Sequence, residues 1–355
     1  MTKPGRNYAL DIIRVIACYM VIQSHAGEFL YIGRGNTVIN SYDAYWIGWF
    51  NTICRISVPL FVMLSGFFLF PVGDVRTFFT KRFSRILVPF VLWCIIYAVY
   101  LYGRHYINLN TALIDLVNIP LNFGTQVGHL WFVYMLMGIY LFAPVISPWI
   151  MSASRKNMEF YLVLWGIALT IPYIHLLVPQ IWGETFWNHT PMLYYFSGFL
   201  GYVVLANYIK RFHMPPALWT YVLGIALVLV GFAISVYGFL HNLPTEKRLD
   251  RLDITWDFET INLAMMTAGA FLMLKNIRIN NPEKPFFKLL SDIAAKSYGI
   301  YLAHIIVLNP VNSVLNKRLA HTPAKIFIIS LCAFVLTYAL VKLLSYLPKS
   351  KWLIG

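Results

Sequence analysis

Residues Leu10–Phe29 read LDIIRVIACYMVIQSHAGEF, a nearly continuous apolar stretch of about 20 residues, which is long enough to cross a bilayer as one helix. Four ionisable residues interrupt it: Asp11, Arg14, His25 and Glu28. A segment inside a bilayer must satisfy its own backbone hydrogen bonds, so a continuous apolar run of this length predicts a transmembrane helix. This stretch therefore decides the fold class.

Nine further apolar runs resemble the first. The ten runs cover roughly residues 9–27, 53–70, 86–103, 130–148, 159–178, 192–206, 218–240, 258–274, 294–315 and 324–346. Composition agrees, because 59% of the 355 residues are hydrophobic and 12% are charged, whereas soluble domains are about 25% charged. The runs do not alternate apolar with polar residues, which favours helices over a β-barrel. We therefore expect an all-α, polytopic integral membrane protein of about ten transmembrane helices, with residues 1–355 forming one membrane-embedded domain.

The distribution of Lys and Arg predicts the orientation in the membrane. If the N-terminus is cytoplasmic, sixteen Lys and Arg residues lie in inside segments and eight in outside segments, with four more within the runs. Cytoplasmic loops are enriched in positive residues, so the N- and C-termini are both expected to be cytoplasmic. Topology and contact with membrane lipids then explain the net charge of +14. No basic block is long enough to follow a nucleic acid backbone, so no nucleic acid partner is expected.

The four cysteines lie within or at the edges of apolar runs, and none belongs to a CxxC pair: Cys18, Cys54, Cys94 and Cys332. This spacing suggests neither a disulfide framework nor a zinc site. No metal site is expected.

The first run carries a stripe of polar residues. Arg14 and His25 are eleven residues apart, which places them on one helix face, about 16 Å apart along the axis. Asp11 and Glu28 stand three residues from Arg14 and His25, a spacing that allows each pair to interact. Ionisable groups in a membrane helix usually face the protein interior and mark a functional site. The alternative is an Asp11–Arg14 ion pair at the membrane boundary and a hydrogen-bonded interior histidine.

A cationic segment follows the second run. Lys81, Arg82 and Arg85 would form a positive patch at the cytoplasmic surface, the natural counter-charge for a phosphorylated ligand. Positive-inside anchoring explains the same residues without a ligand. Arg55, at the start of the second run, could face either the site or the outer headgroups.

Other candidate residues have structural explanations that compete with a functional one. Ser65 and Gly66 could serve close helix packing, Trp131 an aromatic belt, and His304 a structural hydrogen bond. We also count His129, beside Trp131, and Tyr301, about one turn before His304, as possible supporting residues.

Several of these segments resemble the membrane-bound acyltransferase family 3. The most specific is the Arg-x10-His pattern of the first run, met by Arg14 and His25. In the expected order follow SVPLFVMLSGFFLF (57–70), RFSRILVP (82–89), HLWFVYMLMGIYLFAP (129–144) and SYGIYLAH (297–304). The resemblance extends over nearly the whole chain and is closest to the branch that contains the enterobacterial common antigen O-acetyltransferase.

The resemblance implies an O-acyltransferase, most often an O-acetyltransferase. Its donor substrate would be cytoplasmic acyl-CoA, usually acetyl-CoA, and its acceptor a hydroxyl of a cell-surface glycan or a lipid-linked saccharide precursor. The resemblance places Arg14 and His25 at the centre of activity and suggests that Arg82 and Arg85 help Arg14 to hold acyl-CoA. It also implies a multi-pass protein of the bacterial cytoplasmic (inner) membrane without a permanently bound cofactor.

Residue chemistry suggests a mechanism. Acyl transfer to an alcohol needs a base that works near neutral pH, so His25 is predicted to be the general base, oriented by Glu28. His25 as a transient acyl carrier and Ser65 as a nucleophile are alternatives. Arg55, Tyr301 or His304 could stabilise the developing oxyanion.

Two other functions compete with acyl transfer. A transporter of an envelope glycan or a small anion is the main alternative, because intramembrane charges and broken helices also suit transport. A non-catalytic assembly factor for envelope polysaccharide is a third possibility.

Overall fold

The computed structural model describes residues 6–121, 123, 125–178, 198–212 and 215–355. The regular structure of these residues is helical, apart from isolated bridges joining Ile32 to Val38 and Thr37 to Arg248. The α-helices are α1 Tyr8–Tyr31, α2 Tyr42–Phe50, α3 Ser57–Leu69, α4 Val75–Gly103, α5 Leu109–Val117, α6 Trp131–Ser152, α7 Arg155–Ala168, α8 Ile171–Leu177, α9 Leu200–Arg211, α10 Leu218–Asn242, α11 Leu249–Leu252, α12 Ile261–Leu274, α13 Pro285–Ala295, α14 Ser297–Leu315, α15 Thr322–Leu344 and α16 Lys351–Ile354. The expected all-α fold is confirmed.

Eight helical segments of the described residues are long and apolar enough to cross a membrane. They are Tyr8–Tyr31, Thr52–Leu69, Val75–Gly103, Val127–Ser152, Arg155–Leu177, Leu218–Asn242, Ser297–Leu315 and Thr322–Leu344. These segments correspond to eight of the ten apolar runs, so the protein is polytopic.

Among the described residues, the two remaining runs contribute shorter helices. The sixth run begins outside the described residues, and its described part belongs to α9. The eighth run forms α12, whose 14 residues rise about 21 Å, less than the ~30 Å of a hydrocarbon core. The total of about ten spans and the location of the termini stay predictions.

The first helix, α1, lies inside the bundle. Asn7 caps its N-terminus by accepting a hydrogen bond from the backbone N–H of Leu10 at 3.3 Å. The helix packs against α3, α13, α14 and α15. Because neighbouring helices surround α1, its ionisable side chains can face protein rather than lipid.

Helices α3 and α9 approach each other closely at Gly66. A Cβ atom on this glycine would lie 2.9 Å from the Cα of Val203. Asn207 on α9 also donates a hydrogen bond from Nδ2 to the Gly66 carbonyl at 2.9 Å. The packing explanation is therefore confirmed for Gly66. It does not account for Ser65, which faces the cavity described below.

A second hydrophobic core lies beyond the His25 end of α1. It joins side chains of residues 30–50 to those of residues 239–256 and to Ile326. We call the two segments 30–56 and 239–256 the cap. Trp256 stacks on Phe239 with ring centroids 4.0 Å apart, and its Nε1 donates to the Thr52 hydroxyl at 3.0 Å. The backbone N–H of Val38 donates to the Lys247 carbonyl at 3.2 Å. These contacts fasten the loop before α12 to the segment that follows α1.

Candidate active site

A cavity of about 460 Å³ lies between α1, α3, α4, α6, α13 and α14. This volume falls within the range of about 300–1,000 Å³ that is usual for small-molecule sites. Eight of the residues singled out from the sequence line it: Arg14, His25, Ser65, Arg82, Arg85, His129, Trp131 and Tyr301. Since Arg14 and His25 are separated by about 16 Å along α1, the cavity follows this helix for three turns.

Arg14 lines the cavity and also takes part in an ion pair. Its Nη1 lies 3.6 Å from Asp11 Oδ1, and Asp11 also contacts Arg6 at 2.5 Å. The hydroxyl of Ser291 donates to the same carboxylate at 3.2 Å. The Asp11–Arg14 pair considered from the sequence is therefore present. Asp11 is nonetheless shared among three donors, and the Arg14 side chain is 28% exposed, so its guanidinium remains open to the cavity.

Arg82 and Arg85, on α4, line the same cavity as Arg14. The Arg82 guanidinium carbon lies 6.0 Å from the ring centroid of Tyr140, and Arg85 is close enough to Arg14 for their charges to interact. Asp11 offsets only part of this positive charge. Three guanidinium groups on one cavity suit the phosphate groups of a ligand, because each can form charge-assisted hydrogen bonds.

His25 is held by Glu28. Its Nδ1 lies 3.1 Å from both carboxylate oxygens. An ionised carboxylate can only accept hydrogen bonds, so Nδ1 carries the hydrogen and Nε2 has the free lone pair in the neutral ring. A general base needs this tautomer, because Nε2 can then take a proton from a hydroxyl. Glu28 is not among the residues lining the cavity, but it contacts the lining residue His25.

Two buried histidines flank His25. Its ring centroid lies 5.2 Å from that of His304 and 6.1 Å from that of His129. His304 Nδ1 lies 2.6 Å from the carbonyl of Tyr301, so this nitrogen carries the hydrogen and Nε2 can only accept. The Nε2 atoms of His129 and His304 have no hydrogen-bond partner among the described residues. Nor do the described His, Cys, Asp and Glu residues form any group of three that could hold a metal ion.

The three oxyanion donors suggested by the sequence are not placed to act as free donors in the cavity. The Tyr301 hydroxyl already donates to the carbonyl of His129. His304 presents an acceptor nitrogen, and it is not among the residues that line the cavity. Arg55 is also outside the lining and belongs to the cap.

Ser65 and Trp131 line the cavity with groups that can donate hydrogen bonds, a hydroxyl and an indole N–H. Trp131 stacks on Phe258 with centroids 5.7 Å apart and an interplanar angle of 23°. It therefore packs within the protein as well as lining the cavity, which an aromatic-belt residue does not require. Both line the cavity, whereas Arg55 and His304 do not and the Tyr301 hydroxyl is already engaged.

Arg55 forms a buried cluster in the cap. Its Nη2 donates to the Tyr31 hydroxyl at 2.8 Å and lies 3.9 Å from Asp253. Its guanidinium carbon stands 4.3 Å from the ring centroid of Trp256. The Arg55 side chain is only 12% exposed, so it pairs within the protein rather than with outer headgroups.

The lining residues that were not singled out from the sequence include Tyr140, Tyr298 and Gly355. Tyr298 precedes Tyr301 by three residues, a helical spacing that could have predicted it. Its hydroxyl donates to the Ile86 carbonyl at 2.9 Å. Tyr140 lies close to Ser65 and Arg82. Nothing in the sequence distinguishes it from the other aromatic residues of α6. Gly355 follows α16, which is fastened by a 2.9 Å hydrogen bond from Trp93 to the Leu353 carbonyl.

The family model described as an acyltransferase domain, of acyltransferase family 3, matches residues 7–342. This match includes every lining residue of the cavity except Gly355. The chain belongs to acyltransferase family 3. It is therefore a membrane acyltransferase, an enzyme that transfers acyl groups. Comparisons with curated proteins and with solved structures found no significant match.

Proposed function

We propose that this family 3 acyltransferase moves an acetyl group from cytoplasmic acetyl-CoA to a hydroxyl of a cell-surface glycan or its lipid-linked precursor. One observation carries the proposal: a single cavity is lined both by three arginines and by His25, whose Nε2 bears the lone pair when Glu28 accepts from Nδ1. The arginines suit the phosphates of CoA, and the histidine suits a hydroxyl acceptor. The resemblance to the enterobacterial common antigen branch supports a surface polysaccharide as the first acceptor to test.

The proposed reaction is direct transfer. Arg14, Arg82 and Arg85 hold the phosphates of acetyl-CoA, and the thioester lies farther along the cavity towards His25. Nε2 of His25 takes the proton of the acceptor hydroxyl as its oxygen attacks the thioester carbonyl carbon. Ser65 or Trp131 donates a hydrogen bond to the oxyanion of the tetrahedral intermediate. The carbon–sulfur bond then breaks, and the CoA thiolate leaves with the proton from His25.

The length of the cavity supports transfer between the two sides of the membrane. Arg14 stands near the predicted cytoplasmic end of α1 and His25 near the opposite end, about 16 Å away. A donor entering from the cytoplasm could thus present its acetyl group to an acceptor on the outer side. We place the protein in the cytoplasmic membrane of a bacterium, where both substrates are accessible.

Mass spectrometry of surface glycans tests the proposed function. Glycans are compared between cells with the intact gene, cells without it, and deleted cells that carry a plasmid copy. We expect mass increments of one acetyl group that disappear on deletion and return with the plasmid. Unchanged glycan masses in all three strains would contradict a glycan acceptor.

Transport is the second candidate, and family membership does not favour it. Incubating membranes with radiolabelled acetyl-CoA and glycan acceptor separates the two functions. Label in the glycan supports the enzyme, whereas movement of the acceptor without label supports a transporter.

A further inference from the structure

Glu28 lies between the candidate active site and the cap. It contacts His25 on one side, and it is close enough to Arg55 and Asp253 for their charges to interact. His25, Glu28 and Tyr31 follow one another at three-residue intervals along α1, so this stripe leads from the cavity to the cap. The charge of Arg55 therefore interacts with two carboxylates: Asp253 from the loop, at 3.9 Å, and Glu28 from the helix.

The loop between α10 and α12 places Asp253 beside Arg55. Its Oδ2 lies 3.9 Å from the guanidinium and accepts a hydrogen bond from Tyr31 at 3.2 Å. Trp256, three residues later, lies under the same guanidinium. One short segment thus supplies both a carboxylate and an aromatic ring to Arg55.

The net charge of this cluster favours the transfer of a proton to His25. When both carboxylates are ionised, Glu28, Asp253 and Arg55 together carry one negative charge. The cluster becomes neutral overall when His25 gains a proton from the acceptor hydroxyl. Negative charge in place before the reaction stabilises an imidazolium that forms during it. Burial raises the pKa of Asp253 to about 6, so its carboxyl is mostly ionised near neutral pH.

We propose that Arg55 and Asp253 are positioning residues that set the charge around Glu28 and His25, so that the cap controls the catalytic histidine. This inference rests on the proposed role of His25 as general base. Neither residue lines the cavity, so the pair acts on the reaction through Glu28 and His25.

The groups that face this cluster come from several elements. His25 and Glu28 are faced by side chains from α1, the cap, the turn before α6, and α14: Tyr31, Arg55, Asp253, His129 and His304. Tyr301 packs against His129 and His304.

A purely structural role is the competing explanation. Arg55 would then only fasten the cap, and a buried ion pair is itself weak evidence for a contribution to stability. The two explanations differ in what happens to His25. If Arg55 only fastens the cap, its loss lowers the thermal stability and predicts no particular direction of change in the pH midpoint of His25 protonation. If its charge matters, removing the charge moves that midpoint in a direction set by the sign of the charge.

The pH dependence of His25 modification provides the test. The full-length protein in nanodiscs is treated with diethylpyrocarbonate at a series of pH values, and carbethoxylation of His25 is measured by peptide mass spectrometry. Asp253→Asn removes a negative charge, so the pH midpoint should move down, by roughly one pH unit. Arg55→Gln removes a positive charge, so the midpoint should move up. The double variant should return towards the wild-type value.

Asp250→Asn is the matched control. It makes the same substitution in the same loop, but Asp250 pairs with Arg248 at the surface, where its side chain is 61% exposed. Its midpoint should equal that of the wild type. If Arg55→Gln does not fold, Arg55→Lys replaces it as a variant that keeps the charge and should keep the wild-type midpoint. Asp253→Asn then still tests the predicted downward shift of the midpoint.

Midpoints that do not move, or that move the same way in Asp253→Asn and Arg55→Gln, would overturn the proposal. This readout needs no acyl donor or acceptor. The two variants could shift the midpoint in opposite directions in a protein that transfers no acetyl group. That result would support the effect of Arg55 and Asp253 on His25, and it would contradict only the proposed function.

Discussion

In the proposed mechanism, Glu28 determines which nitrogen of His25 acts as the base. Glu28→Gln keeps an oxygen that can accept from Nδ1 but removes the charge, whereas Glu28→Ala removes both. We therefore expect kcat to fall moderately with Gln and further with Ala, within the range of about 10²–10⁴ that a positioned base contributes. The KM for acetyl-CoA should stay the same, because Glu28 does not line the cavity.

Initial rates of acetyl transfer at saturating acceptor measure this effect. Glu159→Gln is a suitable control, since Glu159 pairs with Arg155 at a distance of 2.8 Å and does not line the cavity. Equal kcat values for wild type, Glu28→Gln and Glu28→Ala would show that the carboxylate does not assist His25.

Arg85 is predicted to act on donor binding rather than on chemistry. Arg85→Ala should raise the KM for acetyl-CoA about tenfold, the loss expected for one hydrogen bond to a charged group, and leave kcat nearly unchanged. Saturation kinetics with acetyl-CoA measure both constants. Arg155→Ala removes an exposed arginine that does not line the cavity, and it should leave the KM unchanged. The opposite pattern, a lower kcat at constant KM, would remove Arg85 from the donor site.

At the scale of elements, close packing of α3 against α9 keeps Ser65 at the cavity. Gly66→Ala would place a Cβ atom 2.9 Å from the Val203 backbone, so the helices must move apart. The expected cost is about 1–3 kcal/mol, seen as a lower midpoint of thermal unfolding in detergent. Gly138→Ala is the control, because no atom lies within 4 Å of a Cβ there. A Gly66→Ala protein as stable as Gly138→Ala would contradict this packing.

The polar stripe of α1 could be predicted because helical geometry alone relates its members. Spacings of three and eleven residues place Asp11, Arg14, His25 and Glu28 on adjoining faces, and the structure contains both contacts that these spacings suggest. The Arg82–Arg85 segment was predictable for a similar reason, since its charges lie within one turn of a helix.

The cap could not be predicted in this way. Arg55 and Asp253 are about two hundred residues apart in the sequence, and their pairing depends on how the loop before α12 folds back onto α1. No local spacing contains that information. The hydrogen bond from the Tyr301 hydroxyl to the His129 carbonyl is likewise a tertiary contact. For this reason the sequence alone could not choose among the three candidate oxyanion donors.

At the scale of the whole molecule, run length and composition were sufficient for the fold class. Eight of the ten runs became helices that can span a membrane, because backbone hydrogen bonding in a bilayer leaves few alternatives to a helix. Hydropathy does not reveal how much of an apolar run forms a continuous helix. The eighth run contains α12, which ends after 14 residues and packs chiefly against α10.

The central claim is that one cavity connects an acyl-CoA site at Arg14 to a base at His25. Radiolabelled acetyl-CoA added to membrane vesicles that have the predicted cytoplasmic face outward and enclose glycan acceptor tests it most directly. We expect wild-type vesicles to label the glycan and His25→Ala vesicles, with equal amounts of inserted protein, to leave it unlabelled. Equal labelling by the two would contradict the account.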